Sequence, residues 1–249
     1  PSSLRCSSIS LMAAIVGDSE ENTDMSDVQL ASVTPRVFAG RVQPMPGDGR
    51  PTAIFKQPLH GEIEITPLGI VGDHQADLKH HGGLEKAVHF YASDRYALLA
   101  QRFPDVAGAL GPGAMGENLS AAGVDENDVC IGDVFALGQA RLQICQPRTP
   151  CWKIDARHGI DGMAAFIEQR GIAGWYYRVL VPGRAEVGEA LTLIARPPGT
   201  ISVAAFSALR DQTRPDLAVL QRLAEMPALA ADWRRRLGTR LAWLREHGR

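Results

Sequence analysis

Glycine and proline divide most of this chain into short segments, and this division limits the folds that it can adopt. Between residues 36 and 197 the segments alternate apolar and polar residues, as half-buried β-strands do. In "ARLQIC", for example, Leu142 and Ile144 alternate with Arg141 and Gln143. Many short strands with few helices between them predict a mainly β fold, a closed or folded-over β-barrel with a few peripheral helices.

Turn residues predict three hairpins within this β region. The turns fall at residues 60–61 (His-Gly), 138–139 (Gly-Gln) and 182–183 (Pro-Gly). Each turn is flanked by strand-like segments, so we expect each to join two strands that pair with each other.

Two helices interrupt the β region. The first is predicted to begin after Ser93 as its N-cap and to end at Pro104. The second is predicted to run from an Asp161 cap to Gly171, since glycine adopts the left-handed conformation that ends many helices.

The pattern changes to helical after a Pro-Pro-Gly linker at residues 197–199. Residues 200–249 predict a small three-helix domain. Its last helix carries an apolar stripe at spacings of three and four, formed by Leu229, Trp233, Leu237, Leu241 and Leu244. A unit this small rarely buries enough apolar surface to fold alone, so we expect it to dock on the β domain.

Residues 1–35 are predicted to be a disordered extension, because they are serine-rich and acidic and show no steady period. One apolar run follows only Arg5, which makes a weak secretory signal, and the acidic residues argue against a transit peptide. Apolar runs elsewhere are shorter than the roughly 20 residues of a membrane span. We therefore expect a cytoplasmic protein without membrane association.

One cysteine lies in a setting that favours chemistry. In "QPRTPCWK", Pro147 and Pro150 stiffen the backbone around Cys151, and Arg148 and Lys153 bring positive charge near its sulfur. Positive charge favours the thiolate, the form that binds metals and attacks electrophiles. The alternative is a loop cysteine without function.

A second candidate site is "KHHGGLEK". Gly82 and Gly83 leave backbone amides bare beside His81 and Lys86, which would suit a phosphate or another anion. A glycine turn with solvated charges is an alternative. A zinc site is another, and its ligands would be His74, His80, His81 and His89, at an unusual spacing.

A third candidate is "GENL", where Glu117 and Asn118 follow a glycine. An asparagine amide can bind the edge of a heterocycle, and a carboxylate can accept hydrogen bonds from ring N–H groups. Taken alone, this motif is weak.

Together, these stretches resemble the MOSC domain family, named for the C-terminal part of molybdenum cofactor sulfurases. The order "GDHQAD", "HHGGLEKAVHFY", "GENL", "QPRTPCWK" and "GWYYRVL" matches, over about residues 36–245. The resemblance is strongest to the YiiM-like bacterial proteins, which are linked to resistance against 6-N-hydroxylaminopurine and carry a C-terminal three-helix domain.

The resemblance implies a β-barrel and a molybdopterin cofactor. It makes Cys151 the molybdenum ligand and catalytic residue, and it places Arg148 against the pterin or its phosphate. The remaining cofactor-binding residues that it implies are His81, Gly82, Gly83, Lys86, Glu117 and Asn118.

This family implies an oxidoreductase that reduces N-hydroxylated base analogues, hydroxylamines or amidoximes. No flavin, haem or iron–sulfur motif is visible, so the electrons would come from a separate flavoprotein or iron–sulfur protein. The alternative is a non-catalytic carrier of sulfur or of the molybdenum cofactor that uses Cys151.

Two further ligand classes are not expected. Pyridoxal phosphate would need a Schiff-base lysine, for which Lys56, Lys79, Lys86 and Lys153 are the candidates. Nucleic acid would need a basic field, whereas the net charge is −2. The nine arginines and five acids of residues 201–249 are typical of a solvated helical face.

Removing the residues before Ser32 should leave the thermal midpoint and the cofactor content unchanged. The removed segment lacks the periodicity that buried elements need. Calorimetry and metal analysis of the full and shortened proteins check this, and a clear loss of either property would contradict it.

Overall fold

The computed structural model describes residues 32–247, and most of this part of the chain is built from short strands. The strands are β1 (Ser32–Val33), β2 (Arg36–Ala39), β3 (Gln43–Pro44), β4 (Pro51–Thr52), β5 (Gln57–Pro58), β6 (Glu62–Thr66), β7 (Gly69–Ile70), β8 (Val88–Ala92), β9 (Leu119–Ala121), β10 (Val134–Leu137), β11 (Ala140–Pro147), β12 (Trp175–Val181), β13 (Gly183–Glu186) and β14 (Leu191–Ala195). The helices are α1 (Leu78–His81), α2 (Arg95–Arg102), α3 (Lys153–His158), α4 (Met163–Arg170), α5 (Val203–Asp211), α6 (Leu217–Glu225) and α7 (Ala231–His247), with 3₁₀ turns at Leu84–Lys86 and Pro104–Ala109.

Nine strands form the main sheet, in the order β1-β14-β10-β11-β12-β8-β9-β2-β5. All neighbours pair antiparallel except β8 and β9, which are parallel. The prediction of a mainly β fold with several helices is confirmed. Among residues 32–247 no pairing joins β1 to β5, so closure of a barrel remains a prediction.

One of the three predicted hairpins forms as expected. Strands β10 and β11 pair across Gly138, with Leu137 opposite Ala140. Gly138 has a φ of 53°, and a Cβ there would lie 2.5 Å from the Arg184 carbonyl oxygen, so the turn requires glycine.

The other two predicted hairpins are wrong. The turn at 60–61 follows β5, which pairs with β2, and leads to β6, which belongs to a second sheet of order β13-β6-β7. The turn at 182–183 likewise carries the chain from β12 into that second sheet. Strand partners far apart in sequence are chosen by which apolar faces meet, and local turn chemistry does not report this.

The helix α4 ends at Gly171 as predicted, with a left-handed φ of 64°. Its start differs from the prediction, because Gly162 rather than Asp161 takes the N-cap position. Asp155 of α3 supplies the missing acceptor, since its carboxylate accepts hydrogen bonds from Gly162 N at 3.0 Å and Ala164 N at 2.7 Å. The helix α2 also lacks its predicted Ser93 cap, with Asp94 in that position.

Three helices, α5 to α7, form the C-terminal region and pack on the main sheet. The leucines of the α7 stripe belong to the same apolar core as the sheet strands. Backbone contacts tie the start of α7 to the sheet, because Ala230 N donates to the Cys145 carbonyl oxygen at 2.9 Å. Arg178 of β12 also donates to the Ala228 carbonyl oxygen at 3.0 Å.

Most of the predicted extension, residues 1–31, lies outside the described residues. The last part of this predicted extension is among the described residues, where Ser32–Val33 forms β1 and pairs with β14. The sheet therefore begins four residues before the boundary at Arg36 that the sequence suggests. None of the helices described is long and apolar enough to cross a membrane.

Leu237→Ala should lower the free energy of unfolding by about 2–5 kcal/mol, because this side chain is 2% exposed within the shared core. The matched control is Trp243→Ala on the same helix. This side chain is 57% exposed, so its loss should cost less than about 0.5 kcal/mol. Urea unfolding measures both variants. Equal effects would mean that α7 does not share the core of the sheet.

Candidate functional site

Two neighbouring clefts open where the ends of β8, β11 and β12 meet the loops before α1 and α3. The cleft lined by Asp73, Asn118 and Arg148, here called the inner cleft, has a cavity volume of about 80 Å³, and the cleft lined by Cys151, here called the outer cleft, has a cavity volume of about 490 Å³. Four residues line both: His81, Lys86, Lys153 and Tyr176. The volume of the outer cleft lies within the range of small-molecule sites, about 300–1,000 Å³.

Arg148 lies in the wall of the inner cleft, directly after β11, and is 7% exposed. Its Nη2 donates to the Met115 carbonyl oxygen at 3.1 Å, and its backbone N–H donates to the Gly174 carbonyl oxygen at 3.0 Å. Its Nη1 is buried without a hydrogen-bond partner among the described residues. A buried cation with an unused donor is costly, and an anionic ligand would remove that cost.

Two histidines at the clefts carry no charge at neutral pH. Burial, together with the positive charges of Lys153 and Arg148, lowers the pKa of His81 to about 4. Burial, with Arg148, also holds the pKa of His89 well below its usual value. The positive charge of the clefts therefore comes from lysine and arginine.

Asn118 lines the inner cleft within a buried polar network. Its amide Nδ2 donates to Asp73 Oδ2 at 2.9 Å, and its Oδ1 accepts from His89 N at 3.0 Å. The other carboxylate oxygen of Asp73 is paired with Lys56 and accepts from Gly40 N at 2.7 Å. Burial lowers the pKa of Lys56, although Asp73 opposes this. The network holds the cleft wall rigidly.

Glu117 is fully buried and does not line either cleft. Its carboxylate accepts from the Tyr96 hydroxyl at 2.6 Å, Gly113 N at 2.6 Å and Met115 N at 3.0 Å. Burial raises the pKa of Glu117, and these hydrogen bonds oppose that rise. In this structure Glu117 fixes the loop whose Met115 carbonyl oxygen binds Arg148.

Cys151 lines the outer cleft with a half-buried free thiol. It precedes α3, and its carbonyl oxygen accepts from Ile154 N at 3.0 Å. Cys145, six residues earlier, is a fully buried free thiol whose Sγ donates to the Glu85 carbonyl oxygen at 3.1 Å. Burial raises the pKa of Cys145 to about 12, so it is an inert core residue.

The two glycines of "HHGGLEK" shape the loop rather than line the clefts. Gly83 has a φ of 93° and begins the 3₁₀ turn, and a Cβ on Gly82 would lie 3.0 Å from the Leu78 side chain. Contacts of their amides with a ligand therefore remain predictions. Among the described side chains, no three of His, Cys, Asp and Glu gather as a metal site of the predicted zinc type.

The structure thus brings together five of the predicted residues: His81, Lys86, Asn118, Arg148 and Cys151. It adds residues that the sequence analysis did not single out for this role, namely Lys56, Asp73, Tyr176, Trp233 and Arg236. Asp73 lies inside a stretch that was noted, "GIVGDHQAD", but the tail residues carried no local signal for a site.

This chain is similar to known proteins in both sequence and structure. The family model described as MOSC domain matches residues 77–192. The chain is 35% identical over 204 residues to Protein YiiM of Escherichia coli, covering 82% of this chain and 90% of that protein. The crystal structure of YiiM from Escherichia coli superposes with a TM-score of 0.71 at 28% identity, covering 85% of this chain and 93% of that one.

A further relative is a Gibberella moniliformis protein named Reductase. It is 35% identical over 164 residues, which are 65% of this chain but only 29% of that protein. The match therefore concerns one part of a much longer chain.

His81 should stay neutral down to about pH 5 in the folded protein, because its pKa is lowered to about 4. The unfolded chain takes up a proton near pH 6.5, so this histidine stabilises the fold above that pH and loses its contribution as the pH falls toward 4. Lys153→Gln should raise the pKa of His81, whereas Arg141→Gln, outside the clefts, should not. NMR titration of the ring nitrogens measures this, and a His81 pKa near 6.5 would contradict the predicted shift.

Proposed function

This chain belongs to the MOSC domain family, and on that premise we propose that it binds a molybdenum cofactor in the two clefts and reduces N-hydroxylated compounds to amines. The observation that carries the proposal is the buried Arg148 guanidinium. Its Nη1 has no partner among the described residues, and the cleft it lines shares four wall residues with the cleft that contains Cys151.

The residues present fit such a cofactor. Its phosphate would be held by Arg148 and Lys153, with Lys86 on the shared wall, because these cations surround one cavity. Cys151 would supply a soft sulfur ligand, which suits molybdenum bound to the dithiolene sulfurs of the pterin. Neutral His81 offers a hydrogen-bonding nitrogen without adding charge.

When bound, the cofactor would supply two-electron reduction, and the protein would hold it and shape access to it. The N–O bond of the substrate breaks, and two electrons and two protons convert the N-hydroxylated compound to the amine and water. The electrons would come from a separate flavoprotein or iron–sulfur protein. The relative named Reductase supports an oxidoreductase activity.

Cys151→Ser should abolish reduction of benzamidoxime while leaving the fold intact. Serine replaces a soft, ionisable sulfur with a hard hydroxyl that stays protonated near neutral pH. The protein is purified from a host that makes molybdopterin, assayed with dithionite-reduced viologen, and analysed for molybdenum and pterin. The mutant should retain part of the pterin, since Arg148 is unchanged.

Cys145→Ser is the matched control, because this buried thiol faces the Glu85 carbonyl oxygen rather than a cleft. It should keep activity and metal. The reductase proposal would be wrong if Cys151→Ser kept full activity. It would also be wrong if the wild-type protein contained neither molybdenum nor pterin. If the wild-type protein contains the cofactor but does not turn over substrate, and Cys151 carries the mass increment of a persulfide, the carrier function is favoured instead.

Arg148→Gln should lower the pterin content at least tenfold, because the buried charge that pairs with the phosphate is lost. Arg141→Gln, on the strand that precedes Arg148, is the control, since Arg141 is only half-buried and lies outside both clefts. Pterin is quantified by fluorescence after oxidation, alongside the thermal midpoint. Unchanged content in Arg148→Gln would contradict the assigned role.

A further inference from the structure

The first turn of α7, a C-terminal helix outside the segment that the family model matches, forms part of the outer cleft. Asp232, Trp233 and Arg236 line this cleft together with Cys151 and Trp152. The helical region therefore contributes side chains to the same cavity as the candidate metal ligand.

The start of α7 is held in place by the signature loop of the site. The carboxylate of Glu85, which directly precedes Lys86, accepts from Ala231 N at 3.0 Å and from Arg178 Nη2 at 3.1 Å. A carboxylate at a helix N-terminus is favourable because it meets the positive end of the helix dipole. The position of α7 is thus coupled to the loop that carries Lys86.

The Trp233 indole is fixed by its neighbours. Phe206 of α5 meets it edge to face, with ring centroids 5.4 Å apart. The Arg236 guanidinium lies 5.4 Å from the indole centroid and is paired with Asp232, from Nε to Oδ2 at 2.7 Å. A rigid aromatic ring loses little entropy when a ligand stacks on it, and the paired arginine adds little net charge.

We propose that Trp233 is a specificity-determining residue, which selects planar aromatic substrates over aliphatic ones at the mouth of the site. The substrate chemistry rests on the proposed reductase function, whereas the aromatic wall rests on the geometry of the outer cleft. An aromatic amidoxime places its ring against the indole while its N–OH group points toward Cys151. An aliphatic amidoxime has the same reacting group but no ring to stack.

The test compares benzamidoxime with acetamidoxime on the cofactor-loaded protein. Trp233→Ala should raise the Kd of benzamidoxime about tenfold, in the range of aromatic stacking, and that of acetamidoxime less than about twofold. Trp233→Phe should restore most of the affinity. Calorimetry measures Kd, and steady-state kinetics should show the same change in KM with kcat preserved.

Trp243→Ala is the matched control, because this exposed tryptophan lies on the same helix but outside both clefts. It should leave both Kd values unchanged.

Equal weakening of the binding of both ligands by Trp233→Ala would indicate a structural role and overturn the inference, as would no weakening of either. If wild type binds benzamidoxime without reducing it, the proposed function fails while the binding comparison still decides the role of Trp233. A wild type that does not bind benzamidoxime would overturn the inference itself.

Discussion

The burial of Arg148 is the constraint on which the organisation of the site depends. A guanidinium in a cavity needs hydrogen-bond acceptors, and the fold supplies the Met115 carbonyl oxygen through a loop that Glu117 holds. The same positive charge helps to keep His81 and His89 neutral. The cleft is thus arranged as an anion site in which charge and hydrogen-bond donors are fixed before any ligand arrives.

Two of the signature stretches have different physical roles in this arrangement. One supplies Cys151 and Arg148 directly to the clefts, and another supplies Asn118, which braces the wall through Asp73. Glu117, its neighbour, points away from the clefts and satisfies backbone amides instead. A residue can therefore belong to a functional motif because it orders the loop, without touching a ligand.

The helical C-terminal region is structurally part of the site and is not a separate unit attached to it. Its leucines complete the apolar core of the sheet, and its longest helix begins on the Glu85 carboxylate. Removing this region would expose core surface and would also remove one wall of the outer cleft.

The sequence by itself determined the strand-rich class, the change to helices near residue 200, the β10–β11 hairpin and the three motifs whose residues line the clefts. These properties follow from local spacing, because alternation, helical period and glycine turns are encoded within a few residues. Only the tertiary structure decided the partners of β5 and β13, the inward turn of Glu117 and the contribution of Trp233 to the outer cleft. Each of these depends on which distant apolar faces pack together and which buried polar groups then need partners, and no local pattern encodes either condition.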